Sequence, residues 1–440
     1  MLNKIVSALK GRSDLSGWTV RHVLTRDTQV YAVPKQIEAR RSVDGEKYVV
    51  DVLCQTKGAD GSPAVGNGDA TLLPGGDIAA GIEKAALVAK LVSNPVYNLP
   101  APAPLPDVPL VDADLKKAPD ATMQSVMERI RSTAAKYPDV RLTAAECFGE
   151  IHAIHLVNSR GMDVEQEATE IDAEFTLIGQ RAGHQVETFR EMGMRRVADL
   201  NLEAEIERQA GYTRDLLEAG APPSWQEAVV LRQDALATFM AGDSLGGSVL
   251  RSLGSAASKY SRISSWEVGK PVFRREVTGD PLTVWANRCI PYGTGSNLFD
   301  DEGLPAQRVE LIRRNELVTF TASQRYADYL KLPPTGAFGG VELPPGQTPA
   351  SALLDEPYVE IIQFSWFNPD LITGDFATEI RLGYWVENGV RKPFKGGQLI
   401  GNYMDALADV RWSAETGFFG SYLGPHTARF NNLKVAGDEG

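Results

Sequence analysis

Residues 141–180 read RLTAAECFGEIHAIHLVNSRGMDVEQEATEIDAEFTLIGQ, and the period assigned to this stretch decides the fold. It holds His152 and His155, three apart and just after Cys147. On a helix that spacing would place both imidazoles on one face, as a metal site requires; on a strand it sends them to opposite faces. Phe148, Ile151 and Leu156, followed by an Asn-Ser-x-Gly turn at 158–161, read as strand, turn, strand. The two histidines are therefore expected to diverge, one packing inward and one exposed. Neither His22, His184 nor His426 supplies an evident third ligand. No metal site is expected here.

The same period extends outward. Residues 17–56 alternate in short β-rich runs broken by polar and Asp-Gly turns, which predicts an antiparallel meander. Helices are predicted over 77–93, capped by Asp77; over 120–137, with Met123, Val126, Met127, Ile130 and Ala134 on one face; and over 200–219, with Gly220 as C-cap. Six prolines between 95 and 109 favour an extended connector hugging the first domain. The APPS of 221–224 marks a boundary between domains 1–220 and 221–440. Beyond it come a short strand at 226–231, a helix at 233–243, a small-residue stretch at 247–264 and, from 266, mostly strands, with short helices near 324–330 and 402–411. The fold class is α+β: an N-terminal α/β domain with an antiparallel sheet and flanking helices, then a β-dominated C-terminal domain.

Composition narrows the function. The 440 residues carry a formal net charge of −12, which opposes non-specific binding to nucleic acid. Three scattered cysteines, Cys54, Cys147 and Cys289, suit a reducing, cytoplasmic compartment, and the N-terminus lacks the apolar core of a signal peptide. No apolar run reaches the roughly 18–20 residues of a membrane span.

Two clusters stand out. Phe299, Asp300, Asp301, Glu302 and Gly303 form an acidic turn before a strand, without the ligand spacing of a calcium loop. Gly374, Asp375, Phe376 and Asn402 belong to a glycine-rich series of hairpins that matches no phosphate loop. No nucleophile elbow occurs, so no catalytic residue is assigned.

The blocks SNPVYNLP (93–100), LVNSRG (156–161), PVFRREVTGDP (271–281), FDDEGLPAQRVELIRRNEL (299–317), TGDFATEIRLGYWVENGV (373–390), IGN (400–402) and LKVAG (433–437), in that order, resemble the TldD/PmbA family, PmbA being also called TldE. The resemblance implies one of two related subunits. The TldD type carries a helical H-E-x-x-x-H motif and a downstream Cys that hold zinc, and is the peptidase; the TldE type keeps the fold without those ligands. The helix concerned would lie in EAVVLRQDALATFMAGDSLGGSVLRS (227–252), which has no histidine, and whose Asp234 and Asp243 stand nine apart. No cysteine follows Cys289. The resemblance thus implies a TldE-like chain without its own zinc, paired with a zinc-bearing TldD-like sister or with a second copy, and handling small or unfolded peptides or maturing ribosomal peptide products. The nine residues of the two clusters are the candidates for a substrate or partner channel. The 358–400 region, with Phe364, Trp366 and Phe367, is the candidate for an exposed sheet edge or interface. Two further readings are a stand-alone enzyme using Asp300, Asp301, Glu302 and Asp375 with His426, and a homodimeric peptide-binding module.

Overall fold

In the computed structural model, residues 1–242 and 247–437 are described. Strand alternation builds the N-terminal lobe around one antiparallel sheet of six strands: β1 (Gly17–Val33), β2 (Gln36–Lys57), β3 (Pro63–Leu72), β4 (Val140–Asn158), β5 (Asp163–Arg181) and β6 (His184–Met194), in spatial order β3-β2-β1-β4-β5-β6. The expected meander at 17–56 is a single long hairpin. Asp44–Gly45 lies inside β2, paired with Arg26 and Thr25, and the chain reverses at Pro34–Lys35 instead. Continuous cross-strand pairing outweighs a local Asp-Gly turn signal.

One face of the sheet is covered by helices. α1 (Leu2–Lys10) buries Ile5 and Leu9, and α2 (Ile78–Leu91) starts at Asp77, whose carboxylate accepts the Ala80 amide. The short α3 (Ala113–Lys117) leads into α4 (Pro119–Ala134), which buries Met123, Val126, Met127 and Ile130 on the helical stripe read from the sequence. α5 (Leu202–Leu217) completes the layer. It ends at Leu217 with Glu218 as C-cap; the Gly220 amide instead donates to the Pro393 carbonyl, so Gly220 serves as a bridge to the second lobe.

The C-terminal lobe encloses a large apolar core between an eight-stranded and a six-stranded sheet. β7 (Val229–Arg232) runs into α6 (Gln233–Ala241), which packs against the strands 358–364 and 427–430 on one side and 340–342, 416–419 and 422–425 on the other. Phe239 of α6 sits at the centre, stacked on Tyr403 at 4.7 Å and beside Phe367 and Phe430 at 5.3 Å. The small-residue stretch forms two one-turn helices, Val249–Leu253 and Ala256–Tyr260. The strand Tyr358–Phe364 is not an edge: it lies between β7 and the strand Asp375–Glu387.

The proline-rich connector runs between the lobes and holds both. Leu99 and Pro100 carbonyls accept from Arg160 and Asn158 of the N-terminal lobe, while the Asn98 amide donates to Asp328 and the Pro109 carbonyl accepts from Tyr292 of the other. Arg195, 7% exposed, is a second clasp. Its guanidinium donates to the carbonyls of Thr169, Gly293, Thr294 and Ser296 at 2.8–3.1 Å. Among the described residues no helix is long and apolar enough to cross a membrane.

Candidate functional site

Between the lobes lies a cleft of about 960 Å³, walled by β5, β6 and α5 on one side and by α6, the segment 360–367 and Arg391 on the other. Its volume falls at the upper end of small-ligand sites, roughly 300–1,000 Å³. α6 presents Gln233, Asp234, Ala235, Thr238 and Ala241 to it. Phe364 and Phe367 form an apolar floor, and Trp366, half exposed, stands beside them.

The cleft is charged in two distinct ways. Arg190 of β6 bridges Glu205 of α5 and Asp234 of α6, each at 2.9 Å. Arg208 of α5 pairs with the same two carboxylates and donates to the Gln233 side chain at 2.9 Å. Deeper, the buried Glu360 carboxylate holds Arg232 at 3.3 Å and Arg391 at 3.0 Å. Arg251 donates to the Gly339 carbonyl and lies over the Phe338 ring, with no carboxylate partner among the described residues.

The opposite wall is acidic. Register places Glu146, Glu174 and Glu191 side by side across β4, β5 and β6, and Asp27, Glu150 and Glu170 side by side across β1, β4 and β5. Asp172 stands between the two rows, opposite Gly193. Like charges directly opposed in a sheet repel. Burial, with Glu170, Glu191, Glu174 and Glu150 around it, pushes the Asp172 carboxyl up to about 7, and burial, with Glu191 and Glu146, raises Glu174.

A zinc ion does not fit α6 as this sequence writes it. The cleft-facing donors of α6 are one carboxamide, Gln233, one carboxylate, Asp234, and one hydroxyl, Thr238; Gln233 accepts from Arg208 and the carboxylate is engaged by two guanidiniums, which would repel a cation. Asp243 lies outside the described residues. Among those described, no group of three His, Cys, Asp or Glu side chains is placed to hold a metal. His152 and His155 do sit on opposite faces of β4, at positions of odd separation on one strand. Neither is buried, however, because each meets carboxylates at the surface: Glu150 for His152, Asp163 and Glu165 for His155.

The nine residues singled out in the sequence do not line the cleft. Phe299 packs on Leu156 and Met162 of the β4–β5 turn. Asp300 accepts the Glu302 and Leu304 amides and faces Arg288, and Asp301 pairs with Arg21 of β1 at 2.8 Å. Glu302 accepts the Gln324 amide at the start of the helix Gln324–Leu330; burial and then Asp300 push its carboxyl up to about 7. Gly303 has φ +94°, and a Cβ there would sit 2.1 Å from the Met162 sulfur. This loop is a clip between lobes. On the hairpins, Gly374 makes a left-handed turn, Phe376 joins the Phe239 cluster, and Asn402 binds the Asp375 carboxylate while capping the helix Tyr403–Leu407. His426 bonds to Thr427, and its carbonyl accepts the Gln233 amide. Asp375 and His426 thus have partners separate from those of the 300–302 turn.

Sequence reasoning missed the arginine–carboxylate network because its members come from β6, α5, β7, α6 and two further strands. It reached Phe364, Trp366 and Phe367 through their aromatic density.

Residues 228–437 match the model of the PmbA/TldA metallopeptidase C-terminal domain. Over 276 residues the chain is 24% identical to the uncharacterized protein MJ0231 of Methanocaldococcus jannaschii, an alignment covering 59% of this chain and 62% of that protein. It therefore spans less than two thirds of that relative's length. Two solved structures share the fold across 99% of this chain and 100% of theirs, both at 18% identity. One is the Thermotoga maritima protein TM0727, named for modulation of a DNA gyrase, with a TM-score of 0.82; the other is TldE of Thermococcus kodakarensis, with a TM-score of 0.78.

Proposed function

The chain belongs to the TldD/PmbA family of metallopeptidase-related proteins, and from that premise we propose that it is a non-catalytic, TldE-like subunit of a cytoplasmic zinc metallopeptidase complex. In this reading a TldD-like sister carries the zinc, and this chain helps to enclose and hold peptides destined for proteolysis or maturation. One observation carries it. The helix face that meets the cleft offers Gln233, Asp234, Ala235, Thr238 and Ala241, with Arg208 on Gln233 and both Arg190 and Arg208 on Asp234. A zinc-bound water needs a metal to lower its pKa and a free carboxylate to take its proton, and here the carboxylate is neutralised by guanidiniums. Three free cysteines support a reducing compartment.

The test is reconstitution. The chain is co-purified with a family member bearing the H-E-x-x-x-H motif, the metal content of each subunit is measured, and peptide cleavage is followed for each alone and together. Zinc confined to the sister, with cleavage raised by this chain, is the expected result. Stoichiometric zinc on this chain alone, with peptidase activity that a chelator abolishes, would sink the reading. A peptide-binding module working without a sister, as a homodimer, is the second reading. It is favoured by the chain's own two lobes supplying the acidic and the basic sides of the cleft, and cleavage by the sister that is indifferent to this chain would support it.

A further inference from the structure

The two sets of charges in the cleft belong to different lobes. On the C-terminal side, Arg232, Arg251 and Arg391 have one carboxylate among them within the described residues, Glu360, because Asp234 is taken by Arg190 and Arg208. On the N-terminal side, Glu170, Asp172 and Glu191 line the cleft without a close ion pair among the described residues, Arg195 being a more distant charge near Glu170, and the same sheet adds Glu174 of β5 and Glu150 of β4. One wall has surplus positive charge and the other surplus negative charge, in a cavity of small-peptide size whose floor is aromatic. Such a cleft is complementary to a ligand with a cation at one end, an anion at the other and an uncharged middle. A short peptide with free termini is such a ligand.

We propose that the cleft binds short, free-ended peptides as zwitterions and in one direction, the N-terminal ammonium against Glu170, Asp172 and Glu191 and the C-terminal carboxylate toward Arg251 and the Arg232–Arg391 pair. This rests on the reading of the cleft as a peptide site and adds the feature that selects the peptide. The middle of the chain lies over Phe364 and Phe367, contacts that ask little of side-chain identity. Selection is therefore by length and by free ends. A long loop of a folded protein has neither end to offer and is refused, whereas the small product of an earlier endoproteolytic step is accepted.

The test is calorimetric titration of the full chain, without a partner, with tetra-alanine in four forms: free, N-acetylated, C-amidated and blocked at both ends. The free peptide is expected to bind tightest, each block to weaken binding about tenfold, the scale of one charge-assisted contact, and the double block to abolish measurable binding. In the double variant Asp172→Asn, Glu191→Gln, acetylation should no longer matter while amidation still does. In Arg251→Gln the amidation penalty should shrink while the acetylation penalty persists. Equal binding of all four forms overturns end recognition and leaves the peptide-site reading intact. Binding of none overturns both. A penalty for amidation only, in the native chain, overturns the ammonium's place on the acidic wall.

Discussion

A single carboxylate shows how register creates a property that composition does not. Asp172 is an ordinary strand residue until β4 and β6 dock beside it, bury its side chain and add Glu150 and Glu191 to the Glu170 and Glu174 of its own strand. Its carboxyl then stays protonated to about 7, against an ordinary value near 4. The sign follows from linkage. The folded state holds this proton where the unfolded state has released it, so stability falls as pH rises from about 4 to about 7. Asp172→Asn removes that loss. Thermal melts from pH 4 to 8 should show the variant gaining on the native chain as pH rises, with the gap level above about 7; a gap independent of pH would show that the group is not perturbed. Every acid of the two rows was readable in the sequence as a charge. That they form rows was not, because a one-residue slip in pairing would send half of them to the other face. The acidic turn at 300–302 was legible as a feature, but its role was not. Its partners Arg21, Arg288 and the Gln324 amide are far away in the chain.

Elements were legible in proportion to how locally they are determined. α2, α4, α5 and α6 follow from their apolar period and caps, within a few residues of their observed ends. α1 went unread, since only Ile5 and Leu9 anchor it. The strand Tyr358–Phe364 was expected near an edge, yet it is central; sheet order is set by which strands return to pair with it, a property of the whole lobe. α6 shows what its sequence does encode. Its apolar face, with Leu236, Phe239 and Met240, is buried between two sheets, and its other face is left small and polar toward the cleft. Phe239→Ala would empty the space at the Tyr403, Phe367, Phe376 and Phe430 rings and should cost about 3–5 kcal/mol in denaturant unfolding. A loss below about 1 kcal/mol would mean that the surrounding rings can collapse inward.

At the scale of the whole molecule, stability comes from burial and from joints between lobes, and no cluster of side chains among the described residues is placed to add a metal to it. Excess chelator should therefore shift the melting temperature of the isolated chain by less than about 1 °C, since removing a ligand costs stability only if the folded state bound it. A drop of several degrees would reveal a metal that the side chains do not announce.

The joints carry a further consequence. The connector of 95–109 is hydrogen-bonded to both lobes, and the buried Arg195 of the first half closes over three carbonyls of the second. A gene cut at 221–224, where the sequence itself suggests a seam, would yield a C-terminal fragment with those carbonyls bared to solvent and an N-terminal fragment with a stranded buried cation. The seam is a boundary of pattern and not of independence. Recombination between relatives is thus constrained: a lobe exchanged at that point must bring along, or find waiting, the strap and the arginine of its former companion.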